Sequence, residues 1–91
     1  MKRCRWTPAA ADDLIQIVRY IQEENPEVAR QVAQNLIDRL EMLLVFPSIG
    51  KPGEEPGTRE FATPPYITVY RIKEDVVELL HIWHGARKRH L

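Results

Sequence analysis

The sequence predicts an α+β fold of the order β-α-α-β-β-β, in which an N-terminal helical hairpin packs on a small, largely antiparallel sheet. Three observations carry that prediction. Two amphipathic segments, each opened by a proline, stand back to back in the first half. A stretch dense in proline and glycine follows them. Beyond it the hydrophobic period changes from about 3.6 residues to 2, which is the change from helix to strand.

Residues 2–6 read as a short edge strand, with Cys4 and Trp6 on one face and Arg3 and Arg5 on the other. Thr7-Pro8 then starts a helix: a threonine hydroxyl caps, and proline suits the first helical position. Asp12 and Asp13 lie near that end, where the helix dipole favours negative charge. Leu14, Ile17, Val18 and Ile21 form one apolar stripe. The helix should stop near Glu24, because Asn25-Pro26 repeats the cap. The second helix gathers Ala29, Ala33, Leu36, Ile37, Leu40, Leu43 and Leu44 on one side, with Gln31, Gln34, Asp38 and Glu41 opposite. So short a link makes the two helices an antiparallel hairpin.

Phe46-Pro47 ends the second helix. Residues 47–57 hold three prolines and three glycines, a loop expected to lack regular structure. Residues 58–62 read as a short strand. Residues 66–72, rich in β-branched and aromatic side chains, make the best strand in the chain. Lys73-Glu74-Asp75 turns it, and residues 76–83 return as its hairpin partner. Arg71 shares a face with Ile67 and Val69, while Tyr66, Thr68, Tyr70 and Ile72 share the other. The period leaves open which face meets the helices.

Ninety-one residues make one domain, 1–91. With 44% hydrophobic and 29% charged residues, the chain is not a disordered one. Its longest apolar run, Leu43-Leu44-Val45-Phe46, is far too short to cross a bilayer, so no membrane association is expected. No signal peptide precedes the first helix, and the single Cys4 excludes an internal disulfide; both fit a cytoplasmic location. The formal net charge is zero. Yet residues 1–57 carry seven Lys/Arg against nine Asp/Glu, and residues 58–91 carry six against four.

The sequence lacks a Gly-rich phosphate loop, an HExxH motif, paired cysteine ligands and a Gly-x-Ser-x-Gly elbow. His81, His84 and His90 are the only imidazoles, and an odd offset along a strand sends His81 and His84 to opposite faces. No metal and no cofactor are therefore expected. What remains is a cationic and aromatic group: Arg59, Arg71, His84, Arg87, Lys88 and Arg89, with Tyr66, Tyr70 and Trp83. Such a group suits nucleic acid or an acidic peptide. The plainer alternative makes the aromatics core and the arginines solvated charges.

Several strings, taken in order, resemble the ParE/RelE superfamily of type II toxin–antitoxin toxins. They are Trp6-Thr7-Pro8-Ala9-Ala10 with Asp13-Leu14, then Phe46-Pro47-Ser48-Ile49-Gly50 and Gly57-Thr58-Arg59-Glu60-Phe61. Tyr66-Ile67-Thr68-Val69-Tyr70-Arg71-Ile72 and His84-Gly85-Ala86-Arg87 complete the set, which spans essentially the whole chain. The resemblance implies a RelE/ParE-like fold and a bacterial, cytoplasmic toxin silenced by a cognate antitoxin, ParD-like or RelB-like. Operator DNA would be reached only through that antitoxin.

The superfamily divides by target. ParE-type members poison DNA gyrase and have no recognised catalytic centre; RelE-type members cut messenger RNA on the ribosome. In the RelE pattern an arginine follows the tyrosine that opens the middle strand, whereas here Ile67 follows Tyr66. The RelE C-terminal tyrosine has no counterpart before Leu91. These departures favour the ParE type, a gyrase inhibitor rather than an enzyme, with Arg59, Arg71, His84, Arg87, Lys88 and Arg89 as the target-binding set. A RelE-like ribonuclease would instead use Arg59 and Arg87 on the scissile phosphate and His84 as proton shuttle. A third reading is an attenuated toxin that only binds its antitoxin and adjusts operon repression.

Overall fold

The computed structural model describes residues 2–85. Strand β1 (Arg3–Trp6) leads into helix α1 (Pro8–Gln22), and helix α2 (Pro26–Val45) follows almost at once. Four more strands complete the order: β2 (Lys51–Pro52), β3 (Arg59–Thr63), β4 (Tyr66–Lys73) and β5 (Val76–His84). All five lie in one sheet of order β1-β5-β4-β3-β2. Three of its four pairings are antiparallel, and β1 joins β5 in parallel.

Both helix starts are built as the sequence requires. Thr7 Oγ1 accepts from the Ala10 N–H at 3.2 Å, Asn25 Oδ1 accepts from the Val28 N–H at 3.2 Å, and a proline opens each helix. Each cap satisfies one backbone donor that the helix itself cannot. The core gathers Ala10, Leu40 and Leu43 from the helices against Phe61, Tyr70, Val77 and Leu79 from the sheet. Cross-strand partners share a face, so Tyr66, Thr68, Tyr70 and Ile72 turn toward the helices. Ile67, Val69 and Arg71 turn away.

Two expectations need correction. The α1 stripe of Leu14, Ile17, Val18 and Ile21 is only half-buried, and Ala10 is the fully enclosed residue of that helix. The reason is geometric. Ala10 lets the first turn sit close on β5, whereas further along Ile17 and Ile21 border a cleft that also touches Tyr66 and His84. Ile37, placed on the buried side of the second helix, is 41% exposed.

The segment 47–57 is also more ordered than its composition suggests. Lys51 and Pro52 pair with Glu60 and Arg59 as a two-residue edge strand. Proline is admissible there because an outermost strand needs no N–H on its free side. Tyr70, fully buried, reaches out of the core to fasten the same segment: its hydroxyl donates to the Pro47 carbonyl at 2.6 Å and accepts from the Gly50 N–H at 3.0 Å. Glycine is required at position 50, since a Cβ would lie 2.6 Å from Tyr70 Oη and 2.7 Å from the Glu60 carbonyl oxygen.

Candidate functional site

The site grows from the place where β1 runs out. β1 ends at Trp6, opposite Leu79, so β5 loses its neighbouring strand from Leu80 onward. Side chains of the incoming helix replace that strand. The Thr7 hydroxyl donates to the Leu79 carbonyl at 2.7 Å, and Asp13 Oδ2 accepts from the Ile82 N–H at 3.0 Å. Asp13 therefore serves the sheet edge and not the helix dipole: no acidic residue lies in the first turn of α1. An uncovered edge is satisfied without adding a strand.

Leu80 is an extra residue in β5. Val69 pairs with His81 and Tyr70 pairs with Leu79, which leaves Leu80 unopposed as a bulge. From there on the alternation is offset by one. His81 and Trp83 come to lie on the face away from the helices, and Ile82 and His84 face them. Two contacts fix the His81 ring. Its Nδ1 lies 3.2 Å from Asp13 Oδ2, and its plane stacks on Trp83 with centroids 4.5 Å apart at 24°.

On this outer face lies a cavity of about 360 Å³. His81 and Trp83 line it together with Thr7, Thr58, Glu60 and Val69, and Glu54 and Glu55 of the β2–β3 connection contribute two further carboxylates. Glu60 is buried, at 5% exposure. The described lining includes no lysine or arginine. This sign is the reverse of the one the cationic sequence suggested.

The described members of the cationic set do not converge. Arg59 lies on the helix-facing side, where its Nη1 donates to the Gly50 carbonyl at 2.6 Å and, more weakly, to that of Ser48 at 3.4 Å. Arg71 lies on the outer face and gives Nε and Nη2 to one oxygen of Glu78, at 2.9 and 2.7 Å. His84 sits at the far end of the sheet, edge-to-face with Tyr66 at 5.8 Å. Arg59 pairs with Tyr70 and His84 with Tyr66, so four residues of β4, about 13 Å, separate them. Arg87, Lys88, Arg89 and His90 lie outside the described residues.

Glu78 is held between two guanidiniums. Arg71 hydrogen-bonds it and Arg5 Nε lies 3.5 Å from its second oxygen, while the side chain is only 8% exposed. The Arg71 hydrogen bond is the main reason its carboxyl titrates below the ordinary value; burial opposes that shift, and the charges of Arg71, Arg5 and Lys73 add to it. Among the described residues, no group of three or more His, Cys, Asp or Glu side chains could hold a metal ion.

Sequence reasoning passed over Asp13, His81, Glu54, Glu55 and Glu60. A signal existed for one of them. His81 and Trp83 stand two apart on a strand, the spacing that places both rings on one face. A bulge cannot be read from spacing alone, so the face itself could not be assigned.

Comparison with known proteins agrees with the fold. Residues 4–89 match the family model described as the ParE toxin of the type II toxin–antitoxin system parDE. A protein named "Putative toxin Y4kP" from Sinorhizobium fredii is 39% identical over 89 residues, covering 96% of this chain and 92% of that one. "Toxin RelE2" of Caulobacter vibrioides is 29% identical over 87 residues, covering 96% and 99%. Among solved structures, the chromosomal ParDE toxin–antitoxin system from P. aeruginosa superposes with a TM-score of 0.81 at 27% identity, covering 92% of this chain and 96% of that one.

Proposed function

This chain belongs to the ParE toxin family of type II toxin–antitoxin systems, and from that premise we propose that it acts in the cytoplasm as a binding module that poisons DNA gyrase. A cognate, ParD-like antitoxin holds it silent until that antitoxin is lost. Arg87, Lys88 and Arg89 are the target-contacting cations, and operator DNA is met only through the antitoxin.

The observation that supports gyrase over the ribosome is the sign of the outer-face cavity. A ribonuclease must stabilise a scissile phosphate with free cations. The cavity instead presents Glu54, Glu55 and Glu60. A carboxylate about 8 Å from a phosphate repels it by roughly 0.5–2 kcal/mol, depending on the effective dielectric. Those of Glu54 and Glu55 alone outweigh what one histidine offers. Of the two arginines a RelE-like ribonuclease would use, Arg59 is engaged by carbonyls and Arg87 lies outside the described residues; the other described arginine of the cationic set, Arg71, is engaged by Glu78. A fold that spends its sheet arginines internally is suited to binding a protein surface more than to cutting RNA.

The test uses purified full-length chain with gyrase and plasmid. Supercoiling should be blocked and cleaved DNA should accumulate, and the Arg87→Ala/Lys88→Ala/Arg89→Ala variant should lose that effect. Translation in a gyrase-independent extract should continue. Codon-positioned cuts in translated messages, with gyrase unaffected, would establish the RelE-like ribonuclease instead. No growth arrest on induction of the chain alone would leave only the attenuated, antitoxin-binding reading.

A further inference from the structure

We propose that the outer face of the sheet, where β1, β5 and β4 run side by side at the hairpin end, holds phosphates of duplex DNA. The proposal rests on the gyrase reading for the identity of its ligand, and it adds a direct contact between toxin and DNA.

The strand register gathers cations that the sequence keeps far apart. Arg5 in β1 lies opposite Glu78 in β5, and Glu78 lies opposite Arg71 in β4. Arg3, Val76 and Lys73 form the next row across the same three strands. Cross-strand partners share a face, and Arg71 faces away from the helices, so both rows do. The backbones of Arg5 and Arg71 stand about 10 Å apart across the sheet, and those of Arg71 and Lys73 about 7 Å apart along β4.

Positive charge is in surplus there. Glu78 is a single, nearly enclosed carboxylate on which Arg5, Arg71 and Lys73 all act, and it can neutralise one of them. Asp75 is matched by Arg3 at 3.4 Å, and Glu74 by Lys2, whose Nζ donates to the Glu74 carbonyl at 2.7 Å. Two positive charges therefore remain, in a chain whose formal net charge is zero. Donors remain too. Arg71 spends two of a guanidinium's five N–H groups on Glu78, and Arg5 brings only its Nε near the same carboxyl. Both side chains still reach solvent, Arg5 at 71% exposure and Arg71 at 45%. Glu78 thus anchors two guanidinium forks while cancelling a single charge.

A phosphate backbone suits this patch better than an acidic peptide does. A peptide draws most of its affinity from aromatic or apolar anchors seated in pockets. The cavities that open beside His81, Tyr20 and Ile49 include none of Arg3, Arg5, Arg71 and Lys73. A duplex needs no such pocket, because cations bind it by releasing the counterions of its phosphates. The footprint is small. Val69, opposite Glu60, already lines the acidic cavity about 7 Å along β4 from Arg71. Two surplus charges neutralise about two phosphates. Such a contact reads no sequence, so recognition of the operator stays with the antitoxin.

The full-length chain is titrated into a short fluorescein-labelled duplex and followed by fluorescence anisotropy from about 50 to about 200 mM NaCl. Arg5→Gln/Lys73→Gln removes two charges and leaves the Arg71–Glu78 pair in place. Each phosphate contact contributes about 0.9 to the logarithmic salt slope, so the slope of this variant should be shallower by about 2. Over that salt range the wild type should lose about tenfold more affinity than the variant. Arg5→Lys/Lys73→Arg keeps the charges and should keep the wild-type slope.

An unchanged slope in Arg5→Gln/Lys73→Gln would overturn the proposal, as would an equal loss of slope in the charge-keeping variant. Tighter binding of a single-stranded RNA probe, or of a glutamate oligopeptide of equal charge, would overturn it by giving the patch to another partner. So would loss of all duplex binding in Arg87→Gln/Lys88→Gln/Arg89→Gln, which would give the contact to the end of the chain. Gyrase is absent from these measurements. Duplex binding of the expected slope without a block of supercoiling would refute the gyrase reading alone, and a block of supercoiling without the slope change would refute this contact alone.

Discussion

Replacing Tyr70 by Phe removes one oxygen and should cost this domain a large share of its stability. The ring is fully buried and stays in the core with nearly the same volume, so no packing cavity opens. What disappears is the double contact of the hydroxyl, the 3.0 Å bond from the Gly50 N–H and the 2.6 Å bond to the Pro47 carbonyl. Gly50 is buried, so its N–H is left without a partner at a cost of about 1–3 kcal/mol. Pro47 is half-buried and its carbonyl can turn to water, which adds roughly 0.5 kcal/mol. The expected loss is about 2–3 kcal/mol, against a total of about 5–15 kcal/mol for a typical domain. For a chain of this size that corresponds to a Tm lower by about 10–20 °C. Urea unfolding followed by circular dichroism at pH 7 measures it, with an unchanged slope showing that the folded state is otherwise intact. Burial pushes the Tyr70 phenol above its ordinary value, with the Gly50 hydrogen bond and the Arg59 charge pulling the other way. Its contribution is therefore complete below pH 10 and lost at more alkaline pH as the phenol ionises, and Tyr70→Phe should lack that alkaline loss. A loss below about 0.5 kcal/mol would refute the claim that Tyr70 fastens the 47–50 segment.

Thr68 is fully buried on the helix-facing side, and its hydroxyl has no hydrogen-bond partner among the described residues. Thr68→Val keeps the shape, removes that desolvated oxygen and should stabilise by about 1 kcal/mol in the same urea assay; a loss of that size would mean the hydroxyl is satisfied. Glu78 titrates below its ordinary value near 4.5 because Arg71 hydrogen-bonds it. The stability this confers is complete above that pH and is lost as the pH falls through the lower, folded-state value, so unfolding curves from pH 6 to 2 should show a steeper acid loss for the wild type than for Glu78→Gln. Coincident curves would remove Glu78 from the account. Arg59→Ala should destabilise by about 1–2 kcal/mol through the lost bond to the Gly50 carbonyl, and Arg59→Lys should recover part of it.

Local signals carried the helices and the main hairpin well. Pro8 and Pro26, each behind a capping residue, marked both helix starts, because capping acts within a single turn and needs no tertiary context. The β-branched run from Tyr66 marked β4 for the same reason. The non-local features were not legible. β1 pairs with β5 across most of the chain, and nothing in Arg3-Cys4-Arg5-Trp6 names its partner. Lys51–Pro52 looked like loop because its strand character comes from the neighbouring β3 and not from its own residues. The Leu80 bulge fixes which face His81 takes, and a one-residue slip reverses every side chain beyond it.

The site shows why a count of cations is not a map of cationic surface. Arg59 and Arg71 looked available in the sequence because each sits in a stretch of strand type, and the groups that claim them are not their neighbours along the chain. The fold supplies the claimants from elsewhere: the 47–50 carbonyls for Arg59, and Glu78, seven residues on and directly across the hairpin, for Arg71. Once those charges are withdrawn, the outer face keeps Glu54, Glu55 and Glu60 around the His81–Trp83 stack. An effect of Arg59→Ala on growth arrest is therefore ambiguous by itself, since a loosened 47–50 segment reaches the β2–β3 connection that carries Glu54 and Glu55. Only a loss of toxicity without a loss of stability would assign Arg59 to a target contact. The geometry of its bonds to the Gly50 and Ser48 carbonyls leads us to expect the two losses together.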